Sequence, residues 1–184
     1  MRLITEFFAS VPWFLPGIVV WAPAALVLTP SLARALHSSR LVGVVMLVSF
    51  GGIILAALTP TAVALSGSGV PSEACSLERV GLPPVAELTT VHDTLRNVLL
   101  FVPLGVSLGL LARTRRAAIL VALAYALPFA IEAVQLAVPS MGRGCQSADV
   151  IDNAIGLTVG LVLGLGAAWL ARNWLARPTG SAAA

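Results

Sequence analysis

Five long stretches of this chain run without charge or nearly so: 11–30, 41–65, 97–112, 117–138 and 150–171. A helix needs about 20 apolar residues to cross the hydrocarbon core of a bilayer. Each run reaches that length, the third only by borrowing a turn from 94–96. The pattern predicts an all-α, polytopic bundle of five membrane helices, with Thr59 and Pro60 marking a helix end. Gly156, Gly160 and Gly164 share one face of the last helix, and Gly105 and Gly109 share one face of the third. Small residues at that spacing let helix backbones approach closely in lipid, so the third and fifth spans should touch. Pro103 and Pro128 fall mid-span, where they free carbonyls and favour a kink beside the polar residues described below.

Composition agrees with the pattern. Residues are 58% hydrophobic and 10% charged, and the mean hydropathy is +0.97. An ordinary soluble domain is excluded, and 184 residues leave room for one compact bundle. The chain divides into a first span with its loop (1–40), a membrane domain (41–172) and a tail (173–184). All 11 basic residues are Arg. They lie mostly in loops, where they encode orientation and do not signal nucleic acid. Arg34, Arg40, Arg113, Arg115, Arg116, Arg172 and Arg177 fall in the first loop, the third loop and the tail, with no acid among them. Those segments should face the cytoplasm, leaving the N-terminus and loops 66–91 and 139–149 outside. Cys75 and Cys145 both fall on the external side so assigned, which predicts a disulfide between the two loops. Cleavage after an Ala-x-Ala at 33–35 would invert this arrangement, so the first run is read as a retained span.

With so few charges available, the polar residues stand out. Asp93 and Asn97 are one helical turn apart, Glu132 and Gln135 share a face, and so do Asp149, Asp152 and Asn153. On the predicted topology all three sets lie at one depth near the external surface, with Arg143 above them. An acid in or at the lip of a span is costly unless paired, so its default reading is functional. Asp93 and Asp149 also sit where helix N-caps go. Asp93, Glu132, Asp149 and Asp152 against Arg96 and Arg143 leave two negative charges in excess. Either a carboxylate carries a proton, Glu132 first as the deepest, or Arg143 neutralises Glu132 or Asp152, or a cation completes the set. No cofactor or metal motif, phosphate loop or redox Cys pair is present, and Ser147 lacks a base.

The chain resembles the VanZ-like family of bacterial membrane proteins. The resemblance rests on D-x3-N-x3-F-x-P-x-G (Asp93, Asn97, Phe101, Pro103, Gly105), E-x2-Q (Glu132, Gln135), and an Arg followed by D-x2-DN-x2-G (Arg143, Asp149, Asp152, Asn153, Gly156). It spans about residues 45–172, with the first span outside or at its edge. The order, side and depth of the three blocks agree, which makes the combination more specific than any one block. Loop 66–91, with its cysteine, is longer than the family's usual second loop. The family's namesake accompanies glycopeptide-resistance genes and is associated with lowered susceptibility to teicoplanin. The resemblance implies a multi-pass protein of the bacterial plasma membrane, whose partner is a membrane lipid, a lipid-linked ligand or the glycopeptide itself. A non-catalytic external pocket is the first reading. The alternative is an intramembrane enzyme or proton-coupled transporter acting on lipid-linked envelope intermediates.

Overall fold

The computed structural model describes residues 2–67, 74–84, 86, 92–111 and 115–175. Arg113, Arg177 and the tail beyond residue 175 lie outside the described residues. A short helix α1 (Arg2–Ser10) precedes α2 (Phe14–Leu36) and α3 (Arg40–Leu58). A one-turn helix α4 (Ala62–Leu65) follows, then α5 (His92–Leu111), α6 (Arg115–Ala137), a 3-10 turn at Pro139–Met141 and α7 (Ser147–Leu175). Five of these, α2, α3, α5, α6 and α7, are long and apolar enough to span a membrane. The protein is therefore an all-helical, multi-pass membrane protein. No strand occurs among the described residues. Ser76 and Gln146 form an isolated parallel bridge.

Helix ends follow local chemistry. The Ser39 hydroxyl accepts the Val42 N–H at 3.3 Å and starts α3, while Pro60 lacks the N–H that would continue it. The expected end at Thr59 and Pro60 is thus observed, and the run 41–65 divides into α3 and α4. Pro12 separates α1 from α2 in the same way. The helix α1 was not legible as a span because it is too short to be one. The third span does borrow from upstream: α5 begins at His92. Asp93 and Asp149 fall inside the first turns of α5 and α7 and do not cap them. There the helix dipole still favours a negative charge. Pro103 and Pro128 both lie within continuous helices.

The helices are apolar on most sides, as lipid-facing segments are, and Val19, Val20, Val27, Leu123 and Val162 stay exposed. The buried core joins α3, α5, α6 and α7 through Met46, Ile53, Phe101, Leu108, Ile131 and Leu157. Its tightest part is the α5–α7 seam. A Cβ on Gly160 would lie 2.9 Å from Cα of Gly105, and one on Gly164 would lie 2.9 Å from Cα of Gly109. The expected contact of third and fifth spans is real, and nothing larger than hydrogen fits there. Elsewhere, α2 packs on α3 with the Trp21 indole N–H donating to the Leu47 carbonyl at 2.8 Å. Short links make α2 and α3, α5 and α6, and α6 and α7 antiparallel, and Gln135 near the end of α6 donates to the Ala57 carbonyl near the end of α3. The ends at residues 14, 58, 92, 137 and 147 therefore gather at one end of the bundle, together with α1, α4 and both cysteines.

Candidate functional site

At that end the chain is tied across a long sequence distance. Cys75 and Cys145 form a disulfide with Cα atoms 4.5 Å apart. Beside it the Ser76 N–H donates to the Cys145 carbonyl at 2.8 Å, and the Ser147 N–H donates to the Ser76 carbonyl at 3.0 Å. These bonds set the loop after Cys75 alongside the first turn of α7. The Ser147 hydroxyl then donates to the Arg79 carbonyl at 2.8 Å. Committed to that carbonyl, Ser147 is a structural hydroxyl. Arg79 Nη2 reaches Asp152 Oδ2 at 2.6 Å, and the Asp152 side chain is only 1% exposed.

Arg79 therefore neutralises Asp152, a role that sequence reasoning gave to Arg143. Arg143 instead donates from Nε to the Thr59 carbonyl at 3.1 Å. It makes no ion pair with Glu132 or Asp152 among the described residues. Its guanidinium is held below its ordinary pKa by burial, partly offset by the nearby Asp149 carboxylate. The signal that could have identified Arg79 was its position: four residues after a cysteine already expected to be bridged. Gly142, at φ 65°, turns the backbone that delivers Arg143. The left-handed region favours Gly there, and a Cβ would press within 2.7 Å of Thr61 Oγ1.

The remaining polar residues converge on a cavity of about 710 Å³. Asp93, Asn97, Glu132, Gln135, Arg143, Asp149 and Asn153 all line it. Asn97 Nδ2 donates to Asp149 Oδ1 at 2.7 Å, joining α5 to α7. The Gln146 N–H donates to Glu132 Oε2 at 2.7 Å, joining α6 to the incoming loop. Gln135 Nε2 donates to the Ala57 carbonyl at 3.0 Å, joining α6 to the end of α3. Arg96 pairs with Asp93 at 3.0 Å. Asp152 stands apart, turned to Arg79 and outside the cavity lining. Apolar residues line it too, among them Phe7 and Phe8 of α1, which sequence reasoning left without a role.

Counting Arg79, the cluster sets Asp93, Glu132, Asp149 and Asp152 against Arg79, Arg96 and Arg143, so the excess falls from two negative charges to one. Several buried polar atoms lack a hydrogen-bond partner, namely Gln135 Oε1, Asn153 Oδ1, Asp152 Oδ1 and Arg143 Nη2. Buried polar groups are normally satisfied, and each exception calls for an explanation. Among the described residues no group of three or more His, Cys, Asp or Glu is arranged to hold a metal ion. The arrangement is suited to hydrogen bonding and charge recognition.

No curated protein and no solved structure matches the chain. A family model described as VanZ/LLP1 matches residues 18–170, so the family's extent includes most of α2, beyond the boundary near residue 45 that the motifs alone suggest. With that match covering well over half its length, the chain belongs to the VanZ/LLP1 family of membrane proteins, which is linked as a family to glycopeptide resistance.

Proposed function

We propose that this protein lowers susceptibility to teicoplanin-type glycopeptides by binding a lipid-linked or lipoglycopeptide ligand in the cavity beneath α1. One observation carries the reading: the cavity is lined by polar residues (Asn97, Glu132, Gln135, Arg143) and by apolar ones (Phe7, Phe8, Leu99, Leu100). A pocket of several hundred cubic ångströms with few convergent polar groups is what a small ligand requires, and a lining of both kinds suits an amphiphile. The cavity faces the outside of the bacterial plasma membrane in this reading. Arg34, Arg40, Arg115, Arg116 and Arg172 all lie at the opposite end, as the positive-inside rule asks of cytoplasmic segments. The disulfide end is then on the oxidising side.

Two measurements test this. Arg115→Cys should be unreactive to an impermeant thiol reagent in intact cells, and labelling from outside would overturn the orientation. In a strain whose teicoplanin resistance depends on this protein, Arg143→Ala should abolish resistance while the chain still inserts. If Glu132→Ala, Arg143→Ala and Asn97→Ala all leave resistance intact, the cavity is not the functional site. A second reading, proton-coupled transport or acid–base catalysis, is favoured by the burial of Glu132 within a span at 5% exposure. Glu132→Gln separates the two, because a binding pocket keeps partial function and a proton-transferring site keeps none.

A further inference from the structure

The end of the bundle away from the disulfide carries a second cavity, of about 480 Å³, at the turn between α2 and α3. Pro30, Ala33, Arg34, His37, Ser38 and Arg40 line it. The described acids lie on α1, on the loop after Cys75 and on the ends of α5, α6 and α7 at the disulfide end, so none of them offsets these arginines. Arg116 adds a further positive charge nearby, since its Nη1 donates to the Ala35 carbonyl at the end of α2. Arg34 is folded back along α2, with Nε donating to the Pro30 carbonyl at 3.2 Å and Nη2 to the Ser31 hydroxyl at 3.4 Å. Its Nη1 and the whole Arg40 guanidinium make no hydrogen bond among the described residues. Positive charge at one end is what membrane orientation asks for. Orientation requires neither a cavity nor open donors beside it.

The cavity also adjoins lipid. Pro30, Ala33, Arg34 and His37 fall at i, i+3, i+4 and i+7, which is one face of α2 carried into its C-cap. One turn back toward the bilayer centre that face presents Leu26 and Val27, both exposed. We propose that this cavity binds the phosphate of an anionic glycerophospholipid, whose acyl chain lies along Leu26 and Val27. Guanidinium N–H groups meet phosphate oxygens in pairs, and an anionic head brings the negative charge this end lacks. A zwitterionic head brings in addition a cation that finds no acid here. Free inorganic phosphate leaves the apolar face unused. The site stands apart from the external cavity and from the reading of that cavity.

The test separates a built site from a merely positive end. The full chain in a neutral detergent is titrated by native mass spectrometry with phosphatidylglycerol and, separately, with phosphatidylcholine of the same acyl chains, and the affinity of the first bound lipid is read. Phosphatidylglycerol should bind the parent protein roughly twentyfold more tightly, about fivefold for each of Arg34 and Arg40. Arg34→Gln with Arg40→Gln should bring it down to the level of phosphatidylcholine. Arg115→Gln with Arg172→Gln removes the same charge from the same end outside the cavity and should leave the preference in place. Each single variant, Arg34→Gln or Arg40→Gln, should lose about fivefold, so the result does not hang on the folding of the double variant. Inorganic phosphate in tenfold excess over the lipid should leave it bound.

Equal affinity of the parent protein for the two lipids overturns the inference, as does a preference that persists when Arg34 and Arg40 are both replaced. Equal losses from the two double variants would reduce the effect to a diffuse positive surface, and the site would be wrong. Displacement by inorganic phosphate would make the ligand a free anion and overturn the lipid. None of these results bears on the external cavity, whose resistance assay stands or fails by itself.

Discussion

The seam between α5 and α7 and the clamp from residues 75–79 onto α7 hold the same helix in place by opposite means. The seam is apolar and its glycines bring two backbones together, so its stability comes from dispersion at short range. The clamp is polar, with a disulfide, three loop hydrogen bonds and the Arg79–Asp152 ion pair. One sets the distance between helices and the other sets the charge at their ends. The seam tolerates no added volume, whereas the clamp tolerates no missing partner.

The largest expected effect is therefore on the clamp. Arg79→Ala leaves Asp152, 1% exposed, as a buried and uncompensated carboxylate. Breaking such a pair from one side costs about 3–5 kcal/mol. The thermal midpoint in detergent, followed by size-exclusion chromatography of the heated protein, should fall steeply. Adding Asp152→Asn to Arg79→Ala should recover a substantial part of the loss, because the uncompensated charge goes with it. If Arg79→Ala alone melts with the parent protein, the ion pair is incidental and the comparison fails on its polar side.

Next in size is the seam. Gly160→Leu pushes a side chain against the Val102 carbonyl and the Gly105 backbone, neither of which can yield without moving a helix. Overpacking of this kind sits at the upper end of its range, about 3 kcal/mol. Leu161→Ala, at a partly buried neighbour, should cost less. Equal yields and equal melting of the two variants would show that the backbones are not in forced contact.

The two regions also differed in how far sequence reveals them. Gly156, Gly160 and Gly164 announce a face because they recur on a single helix, and the contact they predict needs no other information. Asn97, Glu132, Gln135, Arg143, Asp149 and Asn153 were legible as a cluster because lipid makes any polar residue in a span conspicuous. Their pairings were not legible. Arg79 lies in a loop whose path depends on Cys145, 70 residues further on, and no local pattern says which acid it will meet. Phe7 and Phe8 were missed for a different reason. They are on a helix too short to be a span, and only the tertiary fold turns them toward the cavity.

A smaller effect separates the covalent part of the clamp from its charge. A disulfide closing a loop of this length contributes roughly 4 kcal/mol to a chain that unfolds in water. Here the denatured state keeps its helices in the membrane or micelle, so less chain entropy remains to be removed. Cys75→Ser should accordingly cost about 2 kcal/mol or less by the same thermal assay. The Ser76–Cys145 and Ser147–Ser76 backbone bonds should still hold Arg79 near Asp152. A loss as large as that of Arg79→Ala would mean that the disulfide alone positions the guanidinium.

The smallest expected effect isolates burial as the variable. The Thr158 hydroxyl donates to the Ala154 carbonyl at 2.7 Å, which uses its single proton. The bond of 2.7 Å between Tyr125 and Thr158 is therefore donated by the Tyr125 hydroxyl, and it links α6 to α7 on an exposed face. This is an interhelical polar contact like the Arg79–Asp152 pair, but both of its groups are neutral and neither is stranded when the other is removed. Tyr125→Phe leaves the Thr158 hydroxyl bonded to Ala154. Interhelical hydrogen bonds in membranes are worth about 0.6 kcal/mol on average, and the thermal midpoint should shift by little more than the error of the measurement. Were Tyr125→Phe instead to cost as much as Arg79→Ala, the strength of the clamp could not be ascribed to the burial of Asp152. Any polar contact between these helices would then serve as well.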